Sequence, residues 1–138
     1  MEELNQNEFS KYILNGLLQR FPQFIDYYKL ENDIMTIEYP SKTGLLILWI
    51  TTQDNEITIG FDNSEGNCDW HTHMSQYSAY EPEDELREVI NLTNNILIGN
   101  ETIVYNSSLG YYLTDNPEET IKNKLEGETL ELKKWHEI

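Results

Sequence analysis

The chain has 138 residues, of which 25 are acidic and 9 basic, giving a formal net charge of −16, and 38% of its residues are hydrophobic. A chain of this length buries about two-thirds of the surface it exposes when unfolded, and its apolar content is too high for intrinsic disorder, so a single folded domain over residues 1–138 with a strongly acidic surface is expected. The charge excludes a general nucleic-acid or anionic-membrane binder, because both draw their affinity from Lys and Arg set against phosphate, and it favours a basic protein partner.

In chain order, Phe9, Tyr12, Ile13, Leu17 and Phe21 recur every three or four residues and stop at Pro22, which predicts a helix over about 8–21. Gly16 weakens that helix and marks a place where another element packs closely. Met35, Ile37 and Tyr39 then alternate with Thr36 and Glu38, a strand ended by Pro40. The continuous apolar run Leu45 to Ile50 predicts a central strand covered on both faces. Ile57, Ile59 and Phe61 alternate with polar residues and Gly60, and the turn residues Asp54-Asn55 make the two strands a hairpin.

Asp62 to Asn67 reads as a loop and Cys68 to Met74 as a further strand, with Cys68, Trp70, Thr72 and Met74 on one face and Asp69, His71 and His73 on the other. The acidic stretch Glu81-Pro82-Glu83-Asp84-Glu85 suits the positive end of a second helix. Leu86, Val89, Ile90, Thr93, Ile96 and Leu97 form its buried stripe, and Gly99 is its left-handed cap. Strands over Thr102–Tyr105 and Leu109–Leu113, a short helix within Pro117–Leu125 and a strand over Thr129–Trp135 complete the chain. The expected fold is α+β, a mostly antiparallel sheet of about five to seven strands with two main helices packed on it; the sheet and central helix span about 33–113, and a C-terminal helix and strand occupy about 117–136.

Asp69, His71 and His73 stand at i, i+2 and i+4 of one strand, spaced by roughly 7 Å. Two histidines and a carboxylate, with Glu56 nearby, are the donors of an iron or zinc site, so a metal-dependent enzyme is one reading of this segment. The preferred reading is an exposed polar sheet face that includes histidines, with contact to a partner as a further, overlapping one, and no metal and no cofactor is expected. Cys68 and His71 lie on opposite faces by parity, which argues against a nucleophile–base pair and makes Cys68 a buried structural residue. No glycine-rich phosphate loop, nucleophile elbow or CxxC pair is present.

One cysteine excludes an internal disulfide framework and suits a reducing cytosol. The start of the chain lacks the basic and apolar regions of a signal peptide, and its longest apolar run is far below the roughly 20 residues that span a bilayer. A cytoplasmic protein is therefore expected.

The charge is concentrated. Residues 51–88 carry ten acidic side chains and a single basic one, Arg87. The same segment supplies Trp70, Tyr77 and Tyr80, so it combines steering charge with aromatic anchors, the ingredients of a protein-binding face. The succession from Glu56-Ile-Thr-Ile-Gly-Phe61 through Asp69-Trp-His-Thr-His73 into an acidic helix and the strand Ile103-Val104-Tyr105 resembles small bacterial immunity proteins of polymorphic or contact-dependent toxin systems. That resemblance covers roughly residues 34–113. It implies a cytoplasmic, non-enzymatic protein that binds a cognate toxin domain, often a nuclease with a basic cleft, and occludes its active site. The candidate partner-binding residues are Asp62, Glu65, Asp69, Trp70, His71, His73, Glu83 and Asp84. A third reading is an adaptor that homodimerises through an exposed edge strand.

Overall fold

The computed structural model describes residues 3–138. Helix α1 (Gln6–Arg20) opens with a capping box in which Asn5 and Glu8 satisfy each other's backbone N–H. It is followed by β1 (Tyr28–Glu31), β2 (Ile34–Pro40), β3 (Leu46–Thr51), β4 (Thr58–Asn63) and β5 (Cys68–His73), all antiparallel to their neighbours in one sheet of order β1-β2-β3-β4-β5. Helix α2 (Pro82–Leu97) leads to β6 (Thr102–Asn106), β7 (Gly110–Thr114), the short α3 (Pro117–Lys122) and β8 (Leu130–Lys133), and the last three strands form a second sheet of order β7-β6-β8. The α+β class is as expected, with eight strands divided between two sheets. None of the described helices is long and apolar enough to cross a membrane.

Both main helices lie on the same side of the five-stranded sheet. Phe9, Ile13 and Leu17 of α1 and Val89 and Ile96 of α2 pack with Met35, Ile37, Leu46, Leu48, Ile50, Ile57, Ile59 and Phe61 in one buried cluster. At roughly 25 cal/mol per Å² of apolar area removed from water, this cluster supplies the main driving force for folding. Gly16 sits where the helices meet: a methyl group there would lie 2.5 Å from a Leu86 methyl, so the glycine permits the close approach that its position in the sequence suggests. A buried polar knot fastens α1 to the sheet. The Ser10 hydroxyl donates to the Asp33 carbonyl at 2.6 Å and meets the Thr52 hydroxyl at 2.6 Å, and the Thr52 hydroxyl accepts the Met35 N–H.

Three expectations are corrected. β3 is central but not covered on both sides: Leu46, Leu48 and Ile50 are buried, whereas Ile47, Trp49 and Thr51 are half-buried on the other face. The pairing of β4 with β5 shifts between Phe61 and Asp62, so that Asp62 pairs with Cys68 while Phe61 pairs with Trp70. This β-bulge leaves Asp69 as the extra residue and breaks the simple alternation along β5. Cys68 is accordingly exposed rather than buried.

Candidate functional site

The side of the five-stranded sheet turned away from α1 and α2 is an open face, on which only Thr58 and Gly60 among its strand residues are buried. Pairing registers arrange it in three rows. The central row runs Glu38, Trp49, Gly60, His71 across β2 to β5, a span of about 14 Å at the usual strand spacing. On one side lie Lys29, Thr36, Thr51, Thr58 and His73, with the Glu31–Ile34 pair beyond them, and on the other Pro40, Ile47, Asp62 and Cys68. An indole therefore stands in the middle of the face, with an exposed carboxylate on one flank and an imidazole on the other.

The indole is held by the absence of a side chain beneath it. A methyl group at Gly60 would come within 2.5 Å of Trp49 Cζ2 and would also collide with the Trp70 carbonyl. His71 stacks against the indole with ring centroids 6.5 Å apart. The Trp49 Nε1 is buried and makes no hydrogen bond of good geometry, although its N–H acts on the neighbouring Asp62 carboxyl.

Burial raises the Asp62 pKa; the nearby Trp49 indole N–H opposes the rise, and the charges of Glu38 and Asp69 add to it. Repulsion between carboxylates on one surface is relieved by a cation, and Lys29, at the β1 margin, is the only lysine or arginine among the strand positions of this face. His73 is already engaged, its Nδ1 lying 2.8 Å from the Thr58 hydroxyl and 3.0 Å from a Glu56 carboxylate oxygen.

The sequence-predicted residues divide sharply. Asp62, His71 and His73 belong to the open face, and Glu65 projects from the exposed turn between β4 and β5. Asp69 does not share their face: its carboxylate accepts the Asn63 side-chain amide at 2.8 Å and the Tyr111 N–H at 3.0 Å, tying β5 to β7 of the second sheet. Trp70 packs against Phe61 on the covered side, with centroids 5.1 Å apart. Glu83 and Asp84 stand on the first turn of α2, where Asp84 pairs with Arg87, and so lie with the helix rather than on the open face.

These placements bear on the chemistry that the sequence allowed. With Asp69 drawn to β7, the His71 and His73 rings, edge-on at 5.4 Å, keep only Glu56, 3.0 Å from His73 Nδ1, as a carboxylate beside them. Among the described residues no group of three or more His, Cys, Asp or Glu side chains is arranged to hold a metal ion. The bulge brings Cys68 onto the same face as His71, with Sγ 3.8 Å from Nδ1, contrary to the parity argument. Partial desolvation and then the Asp62 charge nonetheless push the thiol pKa up, opposite to the shift that makes a reactive thiolate.

Sequence reasoning missed Trp49 and Glu38, which form the centre of the face. Glu38 was visible as the polar partner in an alternating strand, but only the strand register shows that it faces Trp49. Comparison with protein-family models, curated proteins and solved structures found no match to this chain.

Proposed function

We propose that this protein is an immunity-type inhibitor that acts in the cytoplasm by binding a basic toxin domain and covering its active site, with the open face of the five-stranded sheet as the docking surface. The observation that carries this reading is the uncovered sheet face, which is centred on Trp49 and bears Glu31, Glu38 and Asp62 in a chain of net charge −16. A rigid sheet presents its side chains without the entropy of ordering a loop, and a half-buried aromatic flanked by charge has the make-up of an interface anchor. The acidic field of the molecule favours encounter with a basic surface, such as the cleft of a nuclease that binds phosphate.

The reading is tested by co-expressing the chain with each basic toxin-like domain encoded beside its gene and isolating complexes by affinity pull-down. A stoichiometric complex that abolishes the toxin's activity is expected, with an association rate that falls at least about tenfold between low and high salt. Failure of every such domain to bind overturns the proposal.

A further inference from the structure

We propose that the centre of the open face is a seat for a single arginine side chain of the partner, with its guanidinium held by Trp49, Glu38 and Asp62. The proposal rests on the reading of this face as a docking surface, and it adds which partner side chain the face is built to receive.

Two independent observations converge on a planar cation. The first is electrostatic: Glu38 lies directly across from Trp49 in register, and Asp62 lies close enough to both for the Glu38 charge and the indole N–H to act on its carboxyl. No lysine or arginine stands in the central row or the row of Asp62 to neutralise them. The second is the aromatic group itself. A tryptophan is the best π partner for a cation, and this one is fixed in place by the Gly60 gap and by His71 on its β5 side. Its β2 flank carries the exposed carboxylate of Glu38.

Arginine fits this arrangement better than lysine. Its guanidinium stacks on an aromatic face while its in-plane N–H groups bond carboxylates, so one group can meet the indole and two acids together. The ammonium of lysine is a compact, strongly hydrated charge that cannot satisfy both at once. The carboxylates and indole are in place before binding, which leaves only the incoming side chain to be ordered.

The test uses the intact chain and a capped Gly-Arg-Gly peptide, with Gly-Lys-Gly and Gly-citrulline-Gly as comparisons, at low salt. Binding is followed through the indole N–H resonance of Trp49, assigned by its loss in Trp49→Phe. The arginine peptide should shift that resonance saturably, the lysine peptide should bind several-fold more weakly, and the uncharged citrulline peptide should leave it unmoved. Glu38→Gln and Asp62→Asn should each weaken the arginine peptide by about three- to tenfold, the loss of one charge-assisted contact at tenfold per 1.4 kcal/mol. The distant variants Glu118→Gln and Glu126→Gln, on and after α3, should have no effect.

Equal weakening by the distant variants, or shifts spread over the acidic surface without Trp49, would mean diffuse attraction to a charged protein and would overturn the seat. Failure of the seat is distinguishable from failure of the immunity reading. A toxin complex whose affinity is unchanged in Glu38→Gln and Asp62→Asn refutes the seat alone, whereas a seat that binds the peptide in a protein that captures no toxin refutes the immunity role alone.

Discussion

The two faces of the five-stranded sheet are made by the same strands, residue by alternate residue, yet they answer to different demands. The covered face is a uniform set of Met, Ile, Leu and Phe beneath two helices, with its main-chain polar groups paired in the strand ladder. The open face mixes threonines, carboxylates and histidines around one indole. Burial on the first face stabilises the fold; on the second, the charge of Glu38 makes Asp62 harder to ionise, a cost that packing does not offset. That contrast separates residues kept for stability from residues available for binding.

The largest expected effect lies on the covered face. Phe61→Ala empties a fully buried site that touches both Trp70 and Trp135, and should cost about 3–5 kcal/mol in denaturant unfolding. A change below about 1 kcal/mol would mean that the helices do not pack on this face as described. Next comes Gly60→Ala, which adds a methyl against Trp49 and the Trp70 carbonyl, a backbone atom of the neighbouring strand that has little room to yield. It should cost about 1–3 kcal/mol and alter the near-UV circular dichroism of Trp49. Unchanged stability together with an unchanged spectrum would show that the indole is not seated over Gly60.

Much of the covered face was legible in the sequence, because a helix that buries one stripe must repeat its apolar residues every three or four positions. The stripe of α2, the Gly99 cap and the close approach at Gly16 follow directly from such patterns. The open face was not legible in the same way. The run from Leu45 to Ile50 is apolar on both sides of the strand, so nothing in it separates the buried Leu48 from the half-buried Trp49. β1 escaped notice because all four of its residues are exposed and it is held through main-chain pairing with β2, which leaves no pattern in side-chain polarity. The bulge at Phe61/Asp62 has no marker residue, and a one-residue slip was enough to move Asp69 away from the histidines and Cys68 toward them. Position within an element is a local property, whereas the register between elements is not.

A third prediction concerns the margin between the two faces, where α2 begins beneath β4. Glu85 is 5% exposed, and its carboxylate accepts the Ile57 N–H at 2.9 Å. Burial raises its pKa from 4.5 to about 7, the Ile57 N–H opposes the rise, and the charge of Glu56 adds to it. The folded protein thus binds this proton more tightly than the unfolded chain does. The contribution is most favourable below about pH 4.5, declines as pH rises toward 7 and is level above that. Glu85→Gln removes the ionisation while keeping a carbonyl to accept from Ile57. Its stability relative to the parent should therefore rise by about 3 kcal/mol between pH 4.5 and pH 8, measured by urea unfolding at each pH. A constant difference across that range would mean that the Glu85 carboxyl is solvated in the folded state.

The smallest expected effect is the most informative about the open face. Glu38→Gln combined with Asp62→Asn replaces Asp62, and the acid whose charge makes Asp62 harder to ionise, with neutral groups of nearly the same shape. If the pair served folding, its loss would destabilise. Because Glu38 is exposed and Asp62 only half-buried, and neither has a lysine or arginine on its row, the double variant should unfold within about 0.5 kcal/mol of the parent, with any change toward greater stability. The same variant is the one expected to lose arginine-peptide binding. Stability that holds while binding falls would place these carboxylates on the side of function, whereas a loss of more than about 1 kcal/mol would make them structural and dissolve the distinction between the two faces.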